Sequence, residues 1–424
     1  MIGPLLDATA RRVRKADMCI LADSTLSVTR SPDGVEAVHR DSLVAHLRLE
    51  DEGKRGVATR SDQDVGAIVD AAMTSARHGP EGSLLRPLPS PLPAVITAHQ
   101  GAASLDARDL AALADGLRAR LDRKGRVLHT WAERSVGRVD VANTRGVMTG
   151  YDATLVGLGL SVATPGDTGR LALRLHHAGV APPDESAIAV LAAEADEMLA
   201  APLLDAEPPV SPHPVWLAPR AVAVFLAPLR RGLLAHGVWA AQGPFTGRVG
   251  DRIVSDQLTL VDDSLAPGRP GSRPIDDEGV VTHRKTLIER GILKGALTDL
   301  EAGARFGIPP TGHARRGGGA RAWIGWSNVV LEPGRATEAE MFEAAKGGVL
   351  VRDLDPVVGN TAPGRVTFTT PWAYKIEGDR IVGRYPRYVL RSAVYEVLNK
   401  VVAVGNEASW VGAQCLPGIV VEVG

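Results

Sequence analysis

Apolar positions near the start of the chain change rhythm once. From Leu5 to Lys15 they recur at helical spacing and predict a short amphipathic helix. Apolar and polar residues then alternate at Met18–Ala22, Thr25–Arg30, Gly34–His39 and Ser42–Leu49, with turn residues at Pro32-Asp33-Gly34 and Glu52-Gly53. Short antiparallel hairpins are expected there. Ser61, with an acid three residues on at Asp64, reads as a helix N-cap. Val65, Ile68, Val69, Ala72 and Met73 supply the apolar stripe of that helix. Leu105–Leu121 is helical by pattern, and so is the Ala- and Glu-rich Asp184–Leu199. Between them Val127–Arg134, Val136–Asn143, Val147–Thr154 and Val156–Ala163 alternate as strands, with a turn at Asn143–Gly146.

Two Pro-rich stretches, Gly79–Pro93 and Pro202–Pro214, interrupt these rhythms. Proline fixes φ and has no amide donor, so neither stretch suits a helix or a central strand. The second is read as the boundary between an N-terminal domain, 1–205, and a strand-rich C-terminal domain, 206–424. The latter opens with a predicted helix over Pro219–His236, whose proline is tolerable in a first turn. Thr337-Glu338-Ala339-Glu340 is a capping box ahead of Met341, Phe342 and Ala345. Arg391–Val402 carries Val394, Val397, Leu398, Val401 and Val402 at helical spacing. Short strands and Gly-rich turns fill the rest. Runs of strands beside runs of helices predict an α+β fold of two domains, each of mainly antiparallel strands with packed helices.

Composition narrows the function classes. The 424 residues are 45% hydrophobic and 23% charged, as in folded globular chains, and the length suits two or three domains. A formal net charge of −1 provides no general basic field, so no nucleic-acid partner is expected. Two cysteines exclude both a disulfide scaffold and a Cys-rich zinc site. No apolar run approaches a membrane span, so no membrane partner is expected. The apolar Met1–Asp7 precedes Arg11, Arg12, Arg14 and Lys15, the reverse of the secretory order, and a cytoplasmic location is expected.

Candidate catalytic groups are sparse. A catalytic zinc needs three protein ligands, two of them commonly one helical turn apart. His236, at the end of a predicted helix, is the single candidate ligand. Gly237, Val238, Trp239, Ala240 and Ala241 follow it, with no glutamate to act as base and no second histidine. His176 and His177 are adjacent on a predicted strand and point to opposite faces. Asp262-Asp263 and Asp276-Asp277-Glu278 could offer oxygen ligands, but their Gly- and Pro-rich loop, with Arg269 and Arg273, reads as turn chemistry and local ion pairs. Cys19 and Cys415 have no sequence partner and read as small buried hydrophobes. Gly317-Gly318-Gly319 lacks the Lys-Ser/Thr of a phosphate loop. Arg315, Arg316 and Arg321 around it either grip an anion or are solvated on a loop. No catalytic residue emerges.

An ordered set of strings adds to this picture. GRVGDRIVSDQLTLVDD and PGRPGSRPIDDEGVVTHRKTLIERGILKGALTD lie within Gly247–Asp299; PPTGHARR, SNVVLEPGRATEAEM, GGVLV and VVAVGNE follow. SVTRSPDGVEAVHRDS, RGVATRSDQDVGAIVDAA and VANTRGVMTGYDATLVGLGLSV precede them. Together they resemble the TldD/TldE (PmbA) family over nearly the whole chain. The resemblance implies one of two branches. TldD is a zinc peptidase with HExxxH on a helix and a Cys ligand near its C-terminus; TldE keeps the fold without the metal site, and the two form a heterodimer acting on unfolded or modified peptides. The helix expected just before Gly247 holds only His236, and the context of Cys415 does not match the ligand. The chain therefore resembles TldE. That implies no catalytic residue and no cofactor in this chain, zinc in a TldD-like partner, and a dimer with that partner or with a second copy. Arg315, Arg316, Arg321, Trp323 and Trp326 are the expected peptide-binding residues. The alternatives are a divergent peptidase active on its own, using His236 and the acids around Asp262 or Asp276, and a homodimeric peptide-binding protein without proteolysis.

Overall fold

Alternation in the first sixty residues runs straight through its polar interruptions, so the four expected hairpin strands are two long ones. In the computed structural model, which describes residues 2–62, 64–121, 127–166, 169–210, 212–317, 321–355 and 364–423, β1 (Lys15–Ser31) and β2 (Gly34–Asp51) pair antiparallel along their lengths. Asp23 does not break β1 because its carboxylate accepts from the hydroxyls of Thr25 and Ser135. After β3 (Lys54–Arg60), β4 (Val127–Asn143) and β5 (Met148–Gly166) again merge four expected strands into two, and β6 (Gly169–Gly179) follows. The result is a six-stranded antiparallel sheet in the order β3-β2-β1-β4-β5-β6.

The helices of this half differ from expectation mainly at their ends. α1 (Ile2–Ala10) stops before Lys15, which already belongs to β1. α2 (Val65–Arg77) is capped by Asp64, whose carboxylate accepts from the Ala67 amide at 2.9 Å; Ser61 is not the cap. Leu105–Leu121 contains the end of a bend between α3 (Gln100–Ala103) and α4 (Ala107–Leu121). α5 (Glu185–Ala200) follows the expected span, and Asp184 caps it by accepting from the Ala187 amide at 2.8 Å.

The second half forms its own sheet. β7 (His213–Leu217) leads into α6 (Pro219–Phe225), α7 (Ala227–Gly232) and α8 (Ala235–Trp239). These three pieces replace the single helix expected over Pro219–His236, because Pro228 has no amide with which to continue α6. Next come β8 (Leu260–Asp263), β9 (Arg284–Glu289), β10 (Ile292–Leu293), α9 (Leu300–Phe306), β11 (Ala314–Arg315), β12 (Trp323–Ile324) and β13 (Val329–Leu331). α10 (Glu338–Ala344) carries the predicted capping box at Thr337 and Glu340. β14 (Val349–Val351), β15 (Arg365–Thr370), β16 (Ala373–Glu377), β17 (Arg380–Arg384) and β18 (Tyr388–Ala393) precede the single turn α11 (Val394–Val397), and β19 (Val401–Val411) and β20 (Gln414–Val423) close the fold. Of the helix expected over Arg391–Val402 only the turn α11 forms, and both ends of that span are strand. Arg391 and Ser392 pair with Thr367 and Val366 of β15, and that pairing overrides helical spacing. Among the described residues the main sheet runs β10-β9-β8-β13-β20-β7-β14-β16-β17, with β19 paired to β20.

The fold is α+β with mostly antiparallel sheets, and residues 1–205 and 206–424 contribute one large sheet each. An apolar core joins them. Leu110, Leu117 and Leu121 of α4 and Met198 of α5 pack with Leu158 and Leu160 on one side and with Leu350, Trp372, Tyr374 and Val420 on the other. No helix among the described residues is long and apolar enough to cross a membrane.

Candidate functional site

α8 is only five residues long, and it carries His236 on its exposed side. The ring packs edge-on against Phe306, with centroids 5.6 Å apart. His236 lines an open cleft of about 700 Å³ between α7, α8, α9 and the β11–β12 region, together with Arg231, Arg305, Arg321 and Trp323. Glycines set the backbone here. A Cβ on Gly237 would fall far inside van der Waals contact of the Gly232 carbonyl, and one on Gly243 would do the same at the Gly237 carbonyl. Three segments therefore touch backbone to backbone, a packing that only glycine permits.

These residues do not fit a tetrahedral zinc. Gly237 and Ala241 bring no donor. Of the acids lining the cleft, Asp299 caps α9 by accepting from the Ala302 amide at 2.7 Å, and Glu301 pairs with Arg321 at 3.4 Å. Cys415 lies on β20, half-buried, outside the cleft lining. No three His, Cys, Asp or Glu side chains among the described residues are grouped to hold a metal ion.

The five expected peptide-binding side chains separate. Arg321 and Trp323 reach the cleft with His236, and Trp323 is 55% exposed. Arg315 turns back to donate to the Trp326 carbonyl at 2.9 Å, while the Trp326 indole donates to the Arg230 carbonyl at 3.2 Å. Arg316 is buried, with its guanidinium on Asp17 of β1. Gly318 and Gly319 of the glycine run lie outside the described residues.

The acidic clusters correct the expectation most sharply. The expected turn bonds are present, from the Leu265 amide to Asp263 and from the Glu278 and Val280 amides to Asp276, but all of these acids except Asp263 are buried and their charged partners are mostly distant in sequence. Arg48 of β2 bridges Asp17 at 2.7 Å and Glu278 at 2.6 Å, and Arg316 returns to Asp17. Asp277 accepts from the Arg316 amide at 2.6 Å, and Glu278 from the Leu300 amide at 2.9 Å. Asp262 holds His313 Nε2 at 2.9 Å and the Ser327 amide at 2.7 Å. Arg273 is the only expected local partner in place, 3.4 Å from Asp277; Arg269 instead lies over the Trp410 ring at 4.3 Å. Neither Asp262 nor Asp276 lines the His236 cleft. The network ties the N-terminal sheet to the loops of the second half.

Electrostatics follow from that burial. Desolvation opposes ionisation of Asp17, but Arg316 and Arg48 outweigh it and hold the carboxyl below its usual range. Burial, reinforced by the negative charge of Glu278, raises Asp276 to about 7, although three backbone amides oppose the rise. Burial, with Asp277 adding to it, pushes the Cys19 thiol up, which fits a small buried hydrophobe. The sequence contained one overlooked signal: Asp17 stands beside the apolar run Met18–Leu21, where a charge must be paired. Arg231 and Arg305 carried no such signal.

Comparisons with known proteins bear on the family and the fold. The family model described as PmbA/TldA metallopeptidase C-terminal domain matches residues 211–423. A metalloprotease of Methanocaldococcus jannaschii is 31% identical over 207 residues, 48% of this chain and 46% of that protein. A metalloprotease TldD homolog of Haemophilus influenzae is 29% identical over 165 residues, 39% of this chain and 34% of that protein. The matched stretch thus spans less than half the length of these curated relatives. TldE from Thermococcus kodakarensis superposes with a TM-score of 0.87 at 19% identity, over 99% of this chain and 98% of that one, a likeness of fold.

Proposed function

The chain belongs to the TldD/TldE (PmbA) metallopeptidase family, and from that premise we propose that it is a TldE-like subunit that leaves hydrolysis to a zinc-bearing, TldD-like partner. The observation that carries this reading is the backbone around Gly237. An HExxxH helix needs a glutamate directly after the first histidine and a second histidine four residues beyond that. Here those places fall on Gly237 and Ala241, and position 237 has no room even for a Cβ. A subunit of this kind shapes the chamber around an unfolded or modified peptide. Extended peptides bind such sheet-rich walls through backbone hydrogen bonds with little sequence preference.

The test separates the chain from its partner. The purified chain and its mixture with a TldD-like homologue are assayed for zinc and for cleavage of an unfolded peptide. The chain alone is expected to hold no stoichiometric zinc and to turn nothing over, while the mixture cleaves. Stoichiometric zinc with turnover by the chain alone overturns the proposal.

A further inference from the structure

Three guanidinium groups open onto the His236 cleft with too little carboxylate to balance them. Arg231 ends α7, Arg305 lies in the last turn of α9, and Arg321 comes from the segment before β12. Arg231 and Arg305 form no ion pair among the described residues; Arg305 instead lies over the Phe306 ring at 5.4 Å. Arg321 faces Glu301 at 3.4 Å, but it is 84% exposed, where such a pair is weak. The remaining acid, Asp299, is buried and occupied as a helix cap. Small side chains at Ala240, Ala302 and Ala322 leave the cleft its room. Trp323 stands largely uncovered beside it. A large exposed indole next to unpaired cations is a costly surface unless something covers it.

We propose that this cleft binds a peptide carboxylate, with Arg231, Arg305 and Arg321 taking its oxygens and Trp323 covering the adjoining side chain. Guanidinium suits a planar carboxylate because its donors form a fork that can bond both oxygens. The aromatic wall favours a carboxylate attached to an apolar body over a small inorganic anion. The carboxylate comes either from a peptide C-terminus or from an Asp or Glu side chain. A peptide held at its terminus would end in the cleft. This inference rests on reading the chain as a peptide-handling subunit, but it does not require the chain to lack catalysis.

The probe is a fluorescently labelled five-residue alanine peptide ending in Phe, as the free acid, as the C-terminal amide, and as the amide with a Glu before the Phe. Binding to the full chain is read by fluorescence anisotropy. The free acid is expected to bind at least about tenfold more tightly than the plain amide, with Arg305→Gln and Arg321→Gln each losing roughly tenfold, the order of one charge-assisted bond. Recovery of affinity in the Glu-bearing amide assigns the pocket to side-chain carboxylates; its absence assigns it to the terminus. Both outcomes support carboxylate recognition. Equal binding of all three peptides overturns it, as does unchanged affinity in the Arg231→Gln/Arg305→Gln/Arg321→Gln variant, or no binding by the folded chain. Zinc-dependent cleavage of the probe by the lone chain would overturn the proposed function and leave the carboxylate preference standing.

Discussion

Replacing Asp17 with alanine should cost this protein about 4 kcal/mol, roughly the middle of the range for removing one partner of a buried ion pair. Asp17 takes two guanidiniums. Arg48 has a second carboxylate, Glu278, at 2.6 Å, and so keeps a counter-charge. Arg316 has none. Its side chain is fully buried, Asp17 is its only carboxylate among the described residues, and its Nε and Nη1 already lack acceptors. The Asp17→Ala chain must therefore hold an uncompensated cation between its two sheets or open the contact to admit water. With a urea slope near 3 kcal/mol/M, the midpoint should fall by roughly 1 M. Tryptophan fluorescence follows the transition. Asp17→Ala/Arg316→Met removes the stranded charge and should recover at least about 2 kcal/mol, since a buried pair replaced by apolar groups is often neutral or stabilising. A loss below about 1 kcal/mol in the single variant refutes the reasoning, as does a double variant no more stable than the single.

Asp276 sets a pH dependence. Its folded-state value of about 7 lies above the ordinary 3.8, so its contribution to stability is most favourable below pH 4 and is lost as pH rises towards 7. Urea midpoints between pH 5 and 8 should decline more steeply in the native chain than in Asp276→Asn; parallel slopes would contradict this. Installing Gly237→Glu with Ala241→His should not create a zinc site, because the new Cβ at 237 collides with the Gly232 carbonyl. Metal analysis and a thermal melt should find a destabilised chain without bound zinc; a stable, stoichiometrically loaded variant would refute the steric argument. Thr337→Ala removes the capping box of α10 and should cost about 1 kcal/mol, measured as a small drop in Tm.

Local chemistry was legible in the chain and distant pairing was not. The turn at Asn143–Gly146 and the capping box at Thr337 depend on neighbours a few residues away. The length of β1 depends on Ser135, which satisfies Asp23 from the next strand in space. Arg391 and Ser392 look helical until β15 supplies a partner. The acids at Asp277 and Glu278 resemble a solvated turn until Arg316 and Arg48 arrive from elsewhere in the chain. The candidate cleft divides the same way. His236, Arg321 and Trp323 draw notice through residue type alone. Arg231 and Arg305 are ordinary helix-end arginines until α7 and α9 close on one cavity.

The strings that place this chain in its family and the residues that would decide its chemistry occupy different parts of the molecule. Asp276-Asp277-Glu278, His313–Arg316 and Ser327-Asn328 bury carboxylates that hold loops together and fasten them to Asp17 and Arg48. Such a network resists change, because altering any one member strands a buried charge or donor. The cleft carries no similar constraint on its exposed side chains. A fold can therefore keep its scaffold while the chemistry of its cleft is redrawn. Around residues 232–243 the redrawing extends below the side chains. The glycine contacts bring backbone so close that a ligand-bearing helix cannot form without moving α7 and α8. On the proposed reading, the difference between the two subunits of the peptidase lies in how the chain is packed at this segment, and the cations left on its rim are free to recognise what the partner cuts.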